Sequence, residues 1–185
     1  VRGMALVEQA QGALPHERVL SLLKTLRDDL RQVIDHGSSA GAVVPATPVQ
    51  WAAPLRHRVT RIFDEMGMAS EWRIAPQWQG GQDGHGRPSA LQCLGLARLV
   101  EEALSNVIKH SQARRVRVDV CAGAGVFSVR IEDDGVGFDV PAVQRAGLSV
   151  GMRSMAARAE RMGARFSVDS APGVTVVETV LLLKK

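Results

Sequence analysis

The chain contains 185 residues, 45% of them hydrophobic, and carries a formal net charge of +4. This length is enough for one compact core, with residues left over outside it. The mild basic excess suits an anionic small ligand. It falls short of the concentrated basic face that marks a nucleic-acid-binding protein, so we expect no nucleic-acid partner.

The cysteine and hydropathy patterns indicate in which cellular compartment the chain is expected. Cys93 and Cys121 have neither a CxxC spacing nor a second pair, which argues against a disulfide framework or a zinc site and favours a reducing compartment. No stretch approaches the roughly 20 apolar residues of a membrane span, and the first residues lack the basic and apolar regions of a signal peptide. We therefore expect a soluble, cytoplasmic chain that makes no membrane contact of its own.

The N-terminal part of the chain predicts a separate helical unit. Residues 17–35 carry apolar side chains at helical spacing, as in one helix of a bundle or coiled pair. Residues 37–50 are rich in glycine, proline and small side chains, and predict a linker between a unit at 1–36 and a domain at 51–185. The next segments are predicted as a second short helix, a strand and a polar glycine-rich loop: residues 52–66, 71–78 and 79–89.

Residues 90–110 predict a long amphipathic helix, because their apolar side chains recur at helical spacing. Its opposite stripe carries Glu102, Asn106 and Lys109 at i, i+4 and i+7. Taken alone, this stripe is better explained as a solvated helix face.

Residues 115–120 and 126–133 alternate with period two and predict a β-hairpin. On the second strand the odd-numbered positions form the apolar face, and the same alternation points Asp133 to that side. A carboxylate that points inward needs a partner. Taken alone, the Asp-Asp-Gly sequence that begins there is better explained as a turn.

The remaining segments complete an α/β pattern. They are predicted as a loop, a helix that ends at Gly163, and two strands: residues 135–151, 151–163, 165–170 and 175–183. The order of helices and strands after the linker departs from the strict alternation of a parallel doubly wound sheet. It predicts a two-layer α/β sandwich with a mixed sheet and helices on one face.

Four motifs follow one another along the chain: EALSNVIKH, EDDGVGF, SVGMRSMAARAERMG and SAPGVT. Together they resemble the N, G1, G2 and G3 boxes of the ATP-binding domain of sensor histidine kinases, within the superfamily that includes gyrase, mismatch-repair and chaperone ATPases. The pattern is most similar to the nitrate-sensor-like subfamily. The resemblance covers about residues 50–183 and implies the Bergerat-type ATPase fold; its specificity comes from the order of the four boxes. The helix at 17–35 resembles the second helix of that subfamily's dimerisation and phosphoacceptor hairpin.

The resemblance implies the metal and phosphate contacts. Asn106 would ligate the Mg²⁺ that bridges the nucleotide phosphates, since a neutral oxygen ligand suits a hard cation already surrounded by anionic oxygens. Glu102 would orient the metal's water or serve as a base. Lys109, next to His110 in the N box, could reach a phosphate. The start of the following helix would present backbone N–H groups to the phosphates, through its expected nucleotide-binding residues Ser149, Val150, Gly151 and Met152.

The resemblance also implies the base contacts. Asp133 would accept a hydrogen bond from the exocyclic amine of adenine, a contact that selects adenine over guanine. Gly135 and Gly137 would let the backbone approach the base and ribose, because no Cβ lies in the way. Thr175 would lie near the rim of the pocket.

The chain departs from the family pattern in two boxes. Ser149 stands where the first glycine of the G2 box is expected, and the sequence Gly-Val-Thr at 173–175 is one glycine short of the usual G3 box. Fewer glycines restrict the backbone of the segments that carry the G2 and G3 boxes, so ATP binding could persist while phosphoryl transfer slows. His16 lies too close to the predicted helix to be the acceptor of a helical hairpin.

The function implied by the resemblance is that of the catalytic domain of a two-component sensor histidine kinase, with ATP and Mg²⁺ as cofactors. The γ-phosphoryl group would pass to a histidine outside this chain and then to a response regulator. The full protein would be a homodimeric, membrane-anchored bacterial sensor, and this chain its C-terminal cytoplasmic fragment. Two alternatives stay open: a degenerate nucleotide-binding or regulatory module without kinase activity, and an anti-sigma-type kinase that acts on serine.

Overall fold

The computed structural model describes residues 44–79, 86–123, 125–145 and 150–183. The helix predicted at 17–35, most of the predicted linker, His16 and Ser149 lie outside the described residues. The division of the chain into an N-terminal unit and a C-terminal domain therefore stays a prediction.

A five-stranded sheet and the helices that pack on it form the described part of the chain. In chain order the elements are α1 Pro48–Glu65, β1 Ala69–Ile74, α2 Ala90–Asn106, a π-helical turn Val107–Ser111, β2 Arg115–Gly123, β3 Val126–Asp133, α3 Val140–Arg145, α4 Val150–Met162, β4 Ala164–Ala171 and β5 Val174–Leu182. The strand order is β1-β2-β3-β5-β4; β1 is parallel to β2, and the other neighbours are antiparallel. This confirms the predicted mixed sheet.

Strand alternation assigns one face of the sheet to the core. In β3 every second residue from Phe127 to Asp133 is buried, and the residues between them are partly exposed. The helices α1 and α2 pack on β1, β2 and β3, and α4 packs on β4. The predicted two-layer arrangement, with helices on one face, is therefore confirmed.

Phe127 lies at the centre of the core, where the hairpin meets α1. Its ring is fully buried and lies edge-on to the rings of Trp51 and Trp78, with centroids 5.1 and 4.9 Å away. The indole N–H of Trp51 donates to the Cys93 carbonyl at 2.9 Å, and that of Trp78 donates to the Pro45 carbonyl at 2.8 Å. Because their polar atoms are satisfied, both indoles are accommodated in the core. The cluster joins α1 and α2 to the sheet.

Helix α1 begins at Pro48, inside the range 37–50 that was predicted as a linker. The Thr47 hydroxyl accepts the N–H of Gln50 at 3.1 Å, and proline is well tolerated in the first helical turn. The cap starts the helix before the periodic apolar pattern becomes visible. None of the helices in the described part of the chain is long and apolar enough to cross a membrane.

Helix α3 lies inside the range 135–151 that was predicted as a loop. It begins after Asp139, whose carboxylate accepts the N–H of Ala142 at 2.8 Å. A helix of this length has too few residues to show an amphipathic period, so the prediction missed it.

Candidate functional site

A cavity of about 510 Å³ opens between the helical layer and the β3–β5 part of the sheet. Most of the residues that the motifs singled out line it, and they are Glu102, Asn106, Lys109, His110, Asp133, Gly137, Val150, Gly151, Met152 and Thr175. Gly135 does not line the cavity, and Ser149 lies outside the described residues. Residues from distant parts of the sequence therefore meet at one site.

Helices α2 and α4 form one wall of the cavity. Glu102 and Asn106 lie one helical turn apart on α2 and face the first turn of α4. A Cβ atom on Gly151 would lie 2.8 Å from Glu102 Oε1 and 3.6 Å from Asn106 Oδ1. The absence of a side chain at Gly151 lets the start of α4 approach the carboxylate and the amide closely.

The predicted stripe on α2 does not continue in α-helical phase to residue 109. Val107–Ser111 form a π-helical turn, in which the Ser111 hydroxyl donates to the carbonyl of the first residue of the turn at 2.8 Å. A π-turn is closed by i→i+5 hydrogen bonds and holds about one residue more per turn than an α-helix. The spacing from Asn106 to Lys109 is therefore not that of an α-helical stripe. Lys109 and His110 are both exposed at the cavity wall.

Asp133 forms the floor of the cavity at the end of β3. It is 4% exposed, and its Oδ1 accepts the N–H of Gly135 at 3.0 Å. Burial raises the pKa of the Asp133 carboxyl above its usual value, although the Gly135 N–H acts in the opposite direction. The neighbouring carboxylate of Asp134 adds to the rise. A partly desolvated carboxylate at this position can accept a hydrogen bond from a ligand that enters the cavity.

Thr175 lies directly opposite Asp133 on the neighbouring strand β5 and is 8% exposed. Its hydroxyl lies 2.8 Å from the Ser170 hydroxyl, which accepts the N–H of Phe138 at 3.0 Å. Thr175 is thus a buried residue of the cavity lining. Ser170 was missed by the sequence analysis because its role depends on the register between β4 and β5.

The loop after Asp133 is held against the β4–β5 turn. Gly137 has a φ of +68°, and a Cβ atom there would collide with the Ala171 carbonyl. Gly135 contributes from behind the wall, because its carbonyl accepts the N–H of Gly173 at 2.9 Å. Gly137 therefore contributes to the cavity directly, whereas Gly135 supports the loop that carries it.

The donor set of the cavity fits Mg²⁺ only together with a ligand that supplies further oxygens. Asn106 offers an amide oxygen and Glu102 a carboxylate, and both lie at the wall next to α4. In the described ranges, no group of three or more His, Cys, Asp or Glu side chains is placed to hold a metal ion. Mg²⁺ is commonly held by one or two protein oxygens together with substrate phosphates, and this site can supply that arrangement.

Glu101 forms a half-buried ion pair behind the cavity wall. Its Oε1 lies 3.4 Å from Arg58 Nη2 of α1, and the two side chains are 13% and 17% exposed. Burial raises the pKa of Glu101 to about 7, against the lowering effect of Arg58, Arg98 and Arg158, and Glu102 adds to the rise. The pair joins α1 to the helix that carries Glu102 and Asn106.

The raised pKa of Glu101 predicts how stability depends on pH. The folded chain binds this proton more tightly than the unfolded chain, so the contribution of Glu101 to stability falls as the pH rises from 4.5 to about 7. Glu101→Gln does not titrate. The unfolding free energy of the unmutated chain minus that of Glu101→Gln should therefore fall across this window and then level off. Urea unfolding at a series of pH values measures this difference.

Glu65→Gln is the matched control, because Glu65 pairs with Arg61 of the same helix at the surface. The corresponding difference should change less from pH 4.5 to about 7 for Glu65→Gln than for Glu101→Gln. A difference in unfolding free energy between the unmutated chain and Glu101→Gln that stays constant across this window would contradict the raised pKa of Glu101.

The family described as "Histidine kinase-, DNA gyrase B-, and HSP90-like ATPase" matches residues 93–185. Curated relatives include sensor histidine kinase ComP of Bacillus subtilis, 32% identical over 43% of this chain, and sensor protein VraS of Staphylococcus haemolyticus, 35% identical over 42% of it. The match spans only 10% of the length of ComP and 22% of that of VraS.

Solved structures show the same fold. The histidine kinase domain of the blue-light activated kinase EL346 from Erythrobacter litoralis has a TM-score of 0.60 at 20% identity, over 90% of this chain and 74% of that one. The mycobacterial sensor histidine kinase MprB has a TM-score of 0.53 at 21% identity, over 74% of this chain and 95% of that one. At these identities the similarity establishes the fold alone.

Proposed function

Because the chain belongs to the histidine kinase-, DNA gyrase B- and HSP90-like ATPase family, we propose that its cavity binds ATP with Mg²⁺ as the catalytic domain of a two-component sensor histidine kinase. One observation carries this proposal. The buried carboxylate of Asp133 forms the floor of a 510 Å³ cavity whose opposite wall presents Glu102 and Asn106. A base and a polyphosphate chain can occupy the two ends of such a cavity.

Asp133 supplies the contact that selects the base. Its carboxylate accepts a hydrogen bond from the exocyclic amine of adenine, whereas guanine presents a carbonyl oxygen at the corresponding position and would repel it. Thr175 lies beside it, and Gly137 and Phe138 line the cavity around the base. Because Asp133 is buried, this hydrogen bond contributes more to the binding free energy than one at the surface would, since an unpaired buried carboxylate is costly.

The opposite wall supplies the phosphate contacts. The first turn of α4 presents backbone N–H groups at Val150, Gly151 and Met152, and a helix N-terminus favours anions. Lys109 and His110 lie at the exposed side of the wall and place positive charge or hydrogen-bond donors near the phosphates. Asn106 would hold Mg²⁺ and Glu102 would orient a water on it, and the ion would supply neutralisation of the phosphate charge.

The reaction transfers the γ-phosphoryl group to a histidine outside this chain. A ring nitrogen of that histidine attacks the γ-phosphorus, the bond from that phosphorus to the β–γ bridging oxygen breaks, and ADP leaves. The chain's own residues act by positioning the nucleotide and by balancing its charge. Glu102 orients the attacking group or accepts its proton.

We further propose that the chain belongs to the nitrate-sensor-like subfamily and is the cytoplasmic part of a membrane-anchored sensor. In this proposal the protein dimerises through the helix predicted at 17–35 and passes its phosphoryl group to a response regulator. The second candidate is a nucleotide-binding module without transferase activity. The altered glycine pattern at Ser149 and at residues 173–175 favours that candidate.

Asp133→Asn tests the base contact. The variant should weaken ATP binding by about tenfold or more, because it removes a hydrogen bond to a charged group. In the absence of nucleotide its melting temperature should rise at neutral pH. The amide is neutral, so the variant avoids the free-energy cost of burying a charged carboxylate, the same cost that raises the pKa of Asp133. Calorimetry and thermal unfolding measure the two effects.

Asp119→Asn is the matched control, since Asp119 lies on the opposite face of β2, away from the cavity. It should leave the ATP affinity unchanged. An unchanged affinity in Asp133→Asn would reject the adenine contact.

A transfer assay separates the kinase from the non-catalytic candidate. The chain is incubated with labelled Mg·ATP and a separate fragment that contains the phosphoacceptor hairpin of the same protein. We expect label on the hairpin histidine, and loss of that label when the chain carries Asn106→Ala. ATP binding without any transfer would establish the non-catalytic module instead.

A further inference from the structure

The turn at residues 112–115 holds the loop at 133–136 through short hydrogen bonds. One carboxylate oxygen of Asp134 accepts the backbone N–H groups of Arg114 and Arg115, at 2.7 and 2.8 Å, and the other accepts Arg115 Nε at 3.2 Å. In return, the N–H of Asp134 donates to the Arg115 carbonyl at 3.2 Å. One side chain therefore closes the open end of the β2–β3 hairpin.

The end of the π-helical turn holds the same loop from its other side. The N–H of Val136 donates to the Ser111 carbonyl at 2.8 Å, and the Ser111 hydroxyl accepts the N–H of Ala113 at 3.0 Å. Gln112 lies between them with a φ of 54°, in the left-handed region that side chains other than glycine rarely adopt. The turn thus has a defined shape that several bonds hold in place.

These bonds hold the backbone on the C-terminal side of Asp133. Asp133 is buried at the cavity floor, whereas the side chain of Asp134 is 33% exposed and lies against the turn. Partial burial works to raise the pKa of Asp134, but hydrogen bonds from Arg115 and Arg114 lower it below its usual value. The Asp134 carboxyl is therefore ionised at neutral pH, and both of its oxygens accept hydrogen bonds from the turn.

We propose that Asp134 is a positioning residue of the nucleotide site: by binding the turn at 112–115 it sets the direction of Asp133 and joins the base contact to the helix that carries Asn106. This inference rests on the proposed binding of ATP in the same cavity. Two of the three donors to Asp134 are backbone N–H groups. The place of the acceptor oxygen therefore matters more than its charge.

Three variants separate placement from charge. Asp134→Asn keeps an acceptor oxygen at the same reach but removes the charge. Asp134→Glu keeps the charge but moves the carboxylate by one methylene. Arg115→Ala removes only the side-chain donor. Calorimetry measures the affinity of each for Mg·ATP and Mg·GTP, and thermal unfolding measures its stability.

Asp134→Asn and Arg115→Ala should stay within about threefold of the unmutated chain for both nucleotides, because the backbone bonds persist. Asp134→Glu should weaken ATP binding by about tenfold and reduce the preference for ATP over GTP. A melting temperature that falls while affinity and preference stay unchanged would overturn the positioning role. Equal losses in Asp134→Asn and Asp134→Glu would also overturn it. Failure of the unmutated chain to bind ATP would instead reject the proposed function itself.

Discussion

A carboxylate at the end of a buried strand loses much of its hydration, and this constraint on Asp133 governs the rest of the site. The alternation of β3 places the side chain on the core face, where only the Gly135 N–H is bonded to it among the contacts that the structure describes. The remaining acceptor capacity is directed into a cavity. Such an arrangement raises the pKa of the carboxyl and lowers the free energy of unfolding of the chain without nucleotide. A ligand that donates a hydrogen bond to the carboxylate offsets this loss.

The second wall of the cavity is connected to this carboxylate through the backbone. The helix α2 carries Glu102 and Asn106, passes into the π-helical turn, and is followed directly by the turn that binds Asp134. A displacement of the helix end would therefore be transmitted to the cavity floor through the hydrogen bonds that the Asp134 carboxylate accepts. Behind the wall, the pair of Arg58 and Glu101 fixes the same helix against α1.

Period and alternation were enough to predict the mixed sheet, the hairpin and the inward direction of Asp133, because each depends on a local repeat that extends over many residues. The position of Lys109 relative to Asn106 could not be predicted. The apolar pattern of a five-residue segment is compatible with either an α-helical or a π-helical turn. The short helix α3 depends on one cap at Asp139. The role of Asp134 depends on contacts that exist only after the hairpin has formed, and the sequence Asp-Asp-Gly does not reveal that the second carboxylate accepts backbone N–H groups of the neighbouring turn.

The central claim is that Asp133 and Asn106 belong to opposite ends of one ATP site. Its most direct test is a crystal structure of the chain with Mg²⁺ and a non-hydrolysable ATP analogue. The account predicts the exocyclic amine of adenine within hydrogen-bond distance of the Asp133 carboxylate, at about 2.7–3.2 Å. It also predicts the metal at about 2.0–2.1 Å from the Asn106 amide oxygen. A nucleotide bound elsewhere, such as the outer face of the sheet beside Asp119, or bound in the cavity with its base remote from Asp133, would contradict it.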